Sequence, residues 1–179
     1  MKNLFKLYDN ILTEKEIDTL YGSFRDEKEW KFIGFGKNPN YRKFTRDLNT
    51  TDSVESILFE KANTILKKNN LKEKVEFIRA YASGQLYGMM HDIHQDDGGI
   101  KLNEIYTIMF YLNKIWTPAY SGETIFLDVN WKDIIHSILP SPGRAVLFDG
   151  VIPHGAREVS RECIELRMVA TFKYKVKNV

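Results

Sequence analysis

The sequence predicts a mainly β protein, a β-sandwich or jelly roll backed by N-terminal helices. Three observations predict it. Helical signals are confined to the part before about residue 74. From Val75 onward the chain becomes a series of short β-rich runs divided by turn residues. Its 179 residues, 43% hydrophobic, are enough for one sizeable core. Helices followed by many short strands is the pattern of a sheet sandwich with helices on one side.

The elements follow in order. Thr13-Glu14-Lys15-Glu16 is a capping box, with Thr13 as N-cap and Glu16 three residues on. Ile17, Leu20, Tyr21 and Phe24 then share one helical face. A second helix is expected to begin near Thr51-Asp52-Ser53 and to carry Val54, Ile57, Leu58, Ala62, Ile65 and Leu66 as its apolar stripe. Lys67, Lys68, Asn69 and Asn70 close it. Between the helices, Trp30 to Asn49 holds Gly34 and Gly36 and the basic residues Lys37, Arg42, Lys43 and Arg46. It reads as a solvated hairpin or loop, with a basic, aromatic substrate surface as the alternative. The expected strands are Val75–Ala82, Ile105–Leu112, Glu123–Leu127, Ala145–Phe148 and Leu166–Lys175. No composition shift marks a linker, so residues 1–179 are expected to form one domain, with helical support to about 74 and a jelly-roll core over about 75–176.

Composition excludes some functions. The net charge of +2 gives no reason to expect nucleic acid or an acidic membrane as a partner. The single cysteine, Cys163, cannot form an internal disulfide and has no neighbour that suggests a nucleophile. Met1 to Leu12 is broken by Lys2, Lys6 and Asp9 and lacks the form of a signal peptide. No apolar run is long enough for a membrane span. A cytoplasmic location, in a bacterium or a phage-infected host, is therefore expected. Richness in Lys, Asn and Ile is compatible with a phage origin.

The richest chemistry lies in Tyr87-Gly-Met-Met-His91-Asp92-Ile93-His94-Gln95-Asp96-Asp97. In a strand His94 and Asp96 would point to one face, about 7 Å apart at Cα, and can converge on one ion. Asp92 would share that face; His91 and Asp97 would not. A third ligand must come from elsewhere. His154, in a turn-rich stretch after Ala145–Phe148, is a better candidate than His136, which sits in a short helix or edge segment. Two histidines and a carboxylate form the facial triad of non-haem iron(II) oxygenases, with open positions for co-substrate and dioxygen. The same ligands also suit catalytic zinc, and spacing alone does not separate the two.

Further blocks carry a resemblance. Arg79-Ala-Tyr81-Ala-Ser-Gly-Gln-Leu-Tyr87-Gly88 leads into His94-Gln-Asp96. Then come Tyr106-Thr-Ile-Met-Phe-Tyr111-Leu-Asn113-Lys-Ile-Trp116, Tyr120-Ser-Gly122-Glu123-Thr-Ile-Phe126, Pro142-Gly143-Arg-Ala-Val-Leu-Phe148, and His154 through Leu166-Arg167. In this order the blocks resemble the prolyl 4-hydroxylase-like 2-oxoglutarate/Fe(II) oxygenases, over roughly Arg79 to Lys173. The resemblance implies a double-stranded β-helix, cupin-like, with His94, Asp96 and His154 as ligands of Fe(II). It implies 2-oxoglutarate and O2 as co-substrates and ascorbate as a candidate reductant. Arg167 is the basic residue expected to pair the C5 carboxylate of 2-oxoglutarate, and Tyr81 and Tyr111 map beside the co-substrate. A guanidinium fork matches a carboxylate bidentately and stays charged when desolvated. One departure stands out: the family's basic residue commonly follows the distal histidine by nine or ten positions, whereas Arg167 follows His154 by thirteen. The Ser160–Cys163 turn reads as an insertion, with Arg161 as the other candidate.

The implied activity is hydroxylation of an aliphatic carbon, with a prolyl residue of a peptide or protein as substrate and 4-hydroxylation as the reaction. An oxygenase acting on a nucleobase, free proline or another small molecule is the first alternative. A non-catalytic jelly-roll binding domain is the second. His91 reads as a satisfied or exposed structural histidine, with a substrate-side acid or base as the alternative, and Asp92 and Asp97 read either as solvent-facing loop acids or as supports of the ligand imidazoles. Trp116 and Tyr120 read as packing or as walls of a peptide groove.

Overall fold

The computed structural model describes residues 4–25, 30–33, 42–49, 51, 54–96 and 104–177. Gly34, Gly36, Lys37, Asp52, Ser53, Asp97, Gly98 and Gly99 lie outside the described residues. The described elements are β1 (Phe5–Tyr8), α1 (Glu14–Arg25), β2 (Lys31–Ile33), β3 (Lys43–Asp47), α2 (Ser56–Lys68) and β4 (Val75–Gln85). There follow β5 (Ile105–Tyr111), β6 (Thr124–Leu127), β7 (Ile134–Ile138), β8 (Ala145–Asp149), β9 (His154–Ala156) and β10 (Arg167–Val176).

The strands form a seven-stranded sheet in the order β1-β8-β5-β10-β4-β3-β2 and a three-stranded sheet in the order β7-β6-β9. Pairing is antiparallel throughout both sheets. This is the jelly roll that the sequence predicts. The period of two along each central strand decides where everything sits. On β10 the even residues Met168, Ala170, Phe172 and Tyr174 face the helices, joining Leu20 and Phe24 of α1 and Leu58, Ala62, Ile65 and Leu66 of α2 in one core. Val169 faces the other way, into a second core with Met109, Tyr111, Phe126, Val146 and Phe148 between the two sheets. Both faces of β10 are thus covered, so Arg167 to Tyr174 are buried without a break.

The capping box forms as expected. The Thr13 N–H donates to Glu16 Oε2 (2.7 Å) and the Glu16 N–H donates to Thr13 Oγ1 (3.3 Å). Helix α2 begins at Ser56, later than the sequence suggests, and its N-cap Glu55 makes no capping bond. The Glu55 carboxylate is instead buried against the Arg46 guanidinium and the Asn49 N–H, which ties the chain down before the helix starts. Strands β1, β2, β3, β7 and β9, of three to five residues each, are not among the strands expected from the sequence. Of the Trp30–Asn49 stretch, the described residues form β2 and β3, which pair antiparallel and add to β4 at the sheet edge.

Candidate active site

The site lies between the sheets, on the face where the odd residues of β4 and β10 point. His94 is not in a regular strand. It makes an isolated bridge to β9, with the His94 N–H on the His154 carbonyl and the reverse bond, both 2.9 Å. This bridge brings two residues sixty apart in sequence ring to ring, their centroids 4.5 Å apart. A side chain on Gly155 would not allow it: a Cβ there would lie 2.8 Å from the His91 carbonyl oxygen. Asp96 follows in a turn, held by its N–H on the Gly150 carbonyl (2.8 Å). The convergence expected from a strand is therefore produced by a bridge and a turn.

The ligand atoms of His94, Asp96 and His154 all lie within 4.8 Å of one another, and among the described residues this is the one such group of three. Each imidazole is oriented the same way. His94 Nδ1 lies 2.9 Å from the Asp92 carbonyl and His154 Nδ1 2.9 Å from the Ile152 carbonyl. A carbonyl only accepts, so both Nδ1 atoms carry a proton and both Nε2 atoms face the shared space. Burial pushes the His154 pKa down to about 4, so the ring is neutral and ready to ligate at pH 7. Burial alone would raise the pKa of Asp96, but its contact with His94 and the nearby His154 and Lys173 hold it well below the carboxylate range. It accepts bonds from Lys173 Nζ on Oδ1 (2.7 Å) and from the Thr107 hydroxyl on Oδ2. The donor set is thus two imidazoles and one ionised carboxylate, a combination suited to divalent iron.

Arg167 lies at the inner end of the same cavity, on β10, and is 2% exposed. Its Nε donates to the Gly122 carbonyl (2.6 Å), Nη1 to Gln85 Oε1 (2.9 Å) and Nη2 to Thr124 Oγ1 (2.8 Å). All three acceptors are neutral, and among the described residues no carboxylate pairs with it. A guanidinium in so dry a place costs several kcal/mol unless an anion reaches it (roughly, from ion burial). Gly122 adopts φ +71° and packs under the Arg167 side chain, where a Cβ would lie 3.1 Å from Cδ. Met109, Val169, Tyr81, Ser83 and Thr171 line the passage between Arg167 and the triad.

The other predicted residues are distributed as follows. Tyr81 lines the cavity, half-buried. Tyr111 stands behind the wall: its hydroxyl donates to Thr124 Oγ1 (2.9 Å) and its ring lies 5.8 Å from the Arg167 guanidinium carbon. Arg161 is exposed on the outside against Tyr87. His136 is on the edge strand β7, stacked on Phe5 (3.9 Å). Trp116 and Tyr120 pack edge to face on each other (5.5 Å). Asp92 supports both His91 and His94 with its backbone carbonyl. Cys163 is buried, and burial raises its thiol pKa.

Sequence reasoning missed Lys173 and Thr107, and gave Lys43 and His91 substrate-side roles only as alternatives. Lys173 was accessible, because it lies an even number of residues from Arg167 and so shares its face. Thr107 stands in the same relation to Tyr111 on β5. Lys43 Nζ sits 3.1 Å from His91 Nε2, a contact that the local sequence does not announce. Burial first, then the Lys43 charge, pushes the His91 pKa down to about 2.

Comparison with known proteins agrees with this geometry. A search of curated protein sequences finds no match. Among solved structures, a Pseudomonas putida prolyl-4-hydroxylase is 16% identical, with a TM-score of 0.77 over 99% of this chain and 95% of that one. A Trichoplax adhaerens prolyl hydroxylase in complex with a hypoxia inducible factor oxygen degradation domain peptide fragment is 14% identical, with a TM-score of 0.76 over 96% and 83%. HygX from Streptomyces hygroscopicus, with nickel and 2-oxoglutarate bound, is 12% identical, with a TM-score of 0.69 over 97% and 83%. At these identities the likeness is one of fold. Residues 77–174, more than half of the chain, match the sequence profile of the 2OG-Fe(II) oxygenase superfamily, and they contain the His94/Asp96/His154 cluster and Arg167. The chain belongs to the 2OG-Fe(II) oxygenase superfamily.

Proposed function

We propose that this oxygenase hydroxylates an aliphatic carbon, that its substrate is a prolyl residue of a peptide or protein, and that the product is the 4-hydroxyl derivative. Fe(II) would be held by His94, Asp96 and His154, and the C5 carboxylate of 2-oxoglutarate by Arg167. The observation that carries the cofactor assignment is the buried guanidinium of Arg167, which meets only neutral acceptors and shares one cavity with the triad. Structural likeness to prolyl hydroxylases, one of them in complex with a peptide, supports the substrate class.

When bound, iron and 2-oxoglutarate supply the oxidative chemistry, in which O2 is consumed, succinate and carbon dioxide are released, and a C–H bond becomes C–OH. The chain's own residues bind, orient and exclude water. The Nδ1–carbonyl bonds fix both imidazole planes. Lys173 and Thr107 hold the Asp96 carboxylate in place. Tyr111 braces Thr124, which in turn orients the Arg167 fork. Met109 and Val169 give the passage apolar walls that keep water from the co-substrate. Ascorbate is the proposed accessory reductant and should raise the number of turnovers.

The test is anaerobically reconstituted protein offered a peptide library and then O2. Mass spectrometry should find one added oxygen atom on prolyl residues, matched by succinate release. Oxidation confined to nucleobases or to free small molecules would overturn the prolyl assignment.

A further inference from the structure

A guanidinium has five N–H groups, and at Arg167 the fold spends three of them. Nε donates to the Gly122 carbonyl (2.6 Å), Nη1 to Gln85 Oε1 (2.9 Å) and Nη2 to Thr124 Oγ1 (2.8 Å). One N–H is left on each terminal nitrogen, enough for the two oxygens of one carboxylate. The charge itself stays unspent. Glu123 is felt at Arg167 through space but stands outside ion-pair distance. Gln85 is where this neutrality is decided. It ends β4 directly opposite Arg167 in the register, is 2% exposed, and lines the same cavity. Its amide is fixed at the other end as well. Nε2 donates to the Met89 carbonyl (3.3 Å), in a turn closed by the Met89 N–H on the Leu86 carbonyl (3.0 Å). A carbonyl only accepts, so the amide cannot turn over, and Oε1 must face the guanidinium.

We propose that Gln85 is a positioning residue that makes Arg167 selective for a co-substrate with a second, distal carboxylate, and that the neutrality of its amide sets this selectivity more than the hydrogen bond it makes. This rests on the reading of Arg167 above as the partner of the C5 carboxylate of 2-oxoglutarate. A glutamate at position 85 would have the same length and would bond Arg167 more strongly. It would also cancel the charge that the co-substrate needs, and it would set an oxygen against the Met89 carbonyl. Thr124, the other side-chain acceptor, has no charged counterpart of its own shape, so position 85 is where one atom decides whether the guanidinium is spent. The site can be tested there without dismantling the metal ligands. The segment that follows Met89 is held by further backbone bonds, from the His91 N–H to the Ala156 carbonyl (3.0 Å) and across the His94–His154 bridge. Metal binding should therefore survive a change at Gln85.

The experiment titrates full-length, Fe(II)-loaded protein under anaerobic conditions with two co-substrates, followed by the visible absorption of iron(II) chelated by a 2-oxo acid. One is 2-oxoglutarate. The other is 2-oxopentanoate, which keeps the chelating end and the chain length but ends in a methyl group. Wild-type protein should prefer 2-oxoglutarate. Gln85→Glu should weaken 2-oxoglutarate at least about tenfold, the scale of one charge-assisted hydrogen bond, and leave 2-oxopentanoate within about twofold. Gln85→Met removes both amide bonds but spends no charge, so it should keep more of the preference than Gln85→Glu. A purely structural role predicts the reverse order, because glutamate keeps the bond to Arg167 and methionine does not. The proposal is overturned by a wild-type preference that persists in Gln85→Glu, by equal weakening of both 2-oxo acids, or by a methionine variant that loses as much preference as the glutamate variant. Should Gln85→Glu fail to bind Fe(II), Gln85→Met decides alone: it supports the proposal by staying within about threefold of the wild-type preference and overturns it by losing more. Arg167→Gln separates this proposal from the reading beneath it. If that variant keeps the wild-type preference, both fall. If it loses the preference while Gln85→Glu retains it, the proposal for Gln85 falls and the assignment of Arg167 stands.

Discussion

At the scale of residues, Asp96 is where folding and metal binding meet. Its carboxylate is 3% exposed and relies on Lys173 for a compensating charge. Lys173→Met should therefore cost the metal-free protein about 3–5 kcal/mol, the scale for breaking one side of a buried ion pair. A bound divalent metal supplies the missing charge, so the loss should be much smaller in the metal-loaded protein. Thermal melts with and without metal check this; equal losses in both would mean that Lys173 does not serve Asp96. The histidines make a second prediction. His154 and His91 are held neutral by burial, with pKa values pushed down to about 4 and about 2. Between pH 6.5 and 4 the unfolded chain takes up protons at these rings and the folded chain does not. Stability of the metal-free protein is thus full above pH 6.5 and falls as pH drops, with His154 alone contributing about 3 kcal/mol of the loss. Replacing His91 with Gln should flatten the stability profile over this range in chemical denaturation.

At the scale of elements, the contact that matters most is the bridge between β9 and the His94 segment. Gly155→Ala would drive a Cβ into the His91 carbonyl at 2.8 Å and the Asp92 carbonyl at 3.0 Å. Both are backbone, so the segment must move. A stability loss of about 1–3 kcal/mol is expected, as for overpacking. Metal affinity should fall along with it, because the displaced segment carries His94 and the Asp92 carbonyl that orients it. Calorimetric titration with Fe(II) or Zn(II) measures this, and unchanged affinity would show that the bridge does not set the ligand geometry. Elements also explain what could be read in advance. Strands β4, β5, β6, β8 and β10 were legible because each carries a β-rich run bounded by turn residues, and β10 was legible as the bearer of Arg167. Convergence of His94 and Asp96 was legible from their spacing, but not the bridge that brings it about. Bridges join residues far apart in sequence, and no local pattern encodes them. The position of Lys43 was hidden for the same reason: it reaches the site only because β3 pairs with β4.

At the scale of the molecule, the large sheet separates two tasks. Its even-residue face on β10 packs on α1 and α2, and its odd-residue face builds the cavity. A defect on the helix side should therefore lower stability without touching the site. Ile65→Ala, fully buried under the sheet, should cost about 2–5 kcal/mol and leave metal affinity within about twofold at a temperature where the protein remains folded. A large change in affinity would mean that the two sides are coupled through the sheet. The most direct measurement on the site itself is an anaerobic titration with Fe(II) and 2-oxoglutarate, followed by the visible charge-transfer absorption of iron(II) chelated by a 2-oxo acid. Wild-type protein should develop this band at one equivalent of iron. Asp96→Ala should abolish it, and Arg167→Gln should demand at least about thirtyfold more 2-oxoglutarate to reach it, the scale for losing one partner of a buried charge pair. Wild-type protein without the band, or an Asp96→Ala variant that keeps it, would contradict the assignment of His94, Asp96, His154 and Arg167.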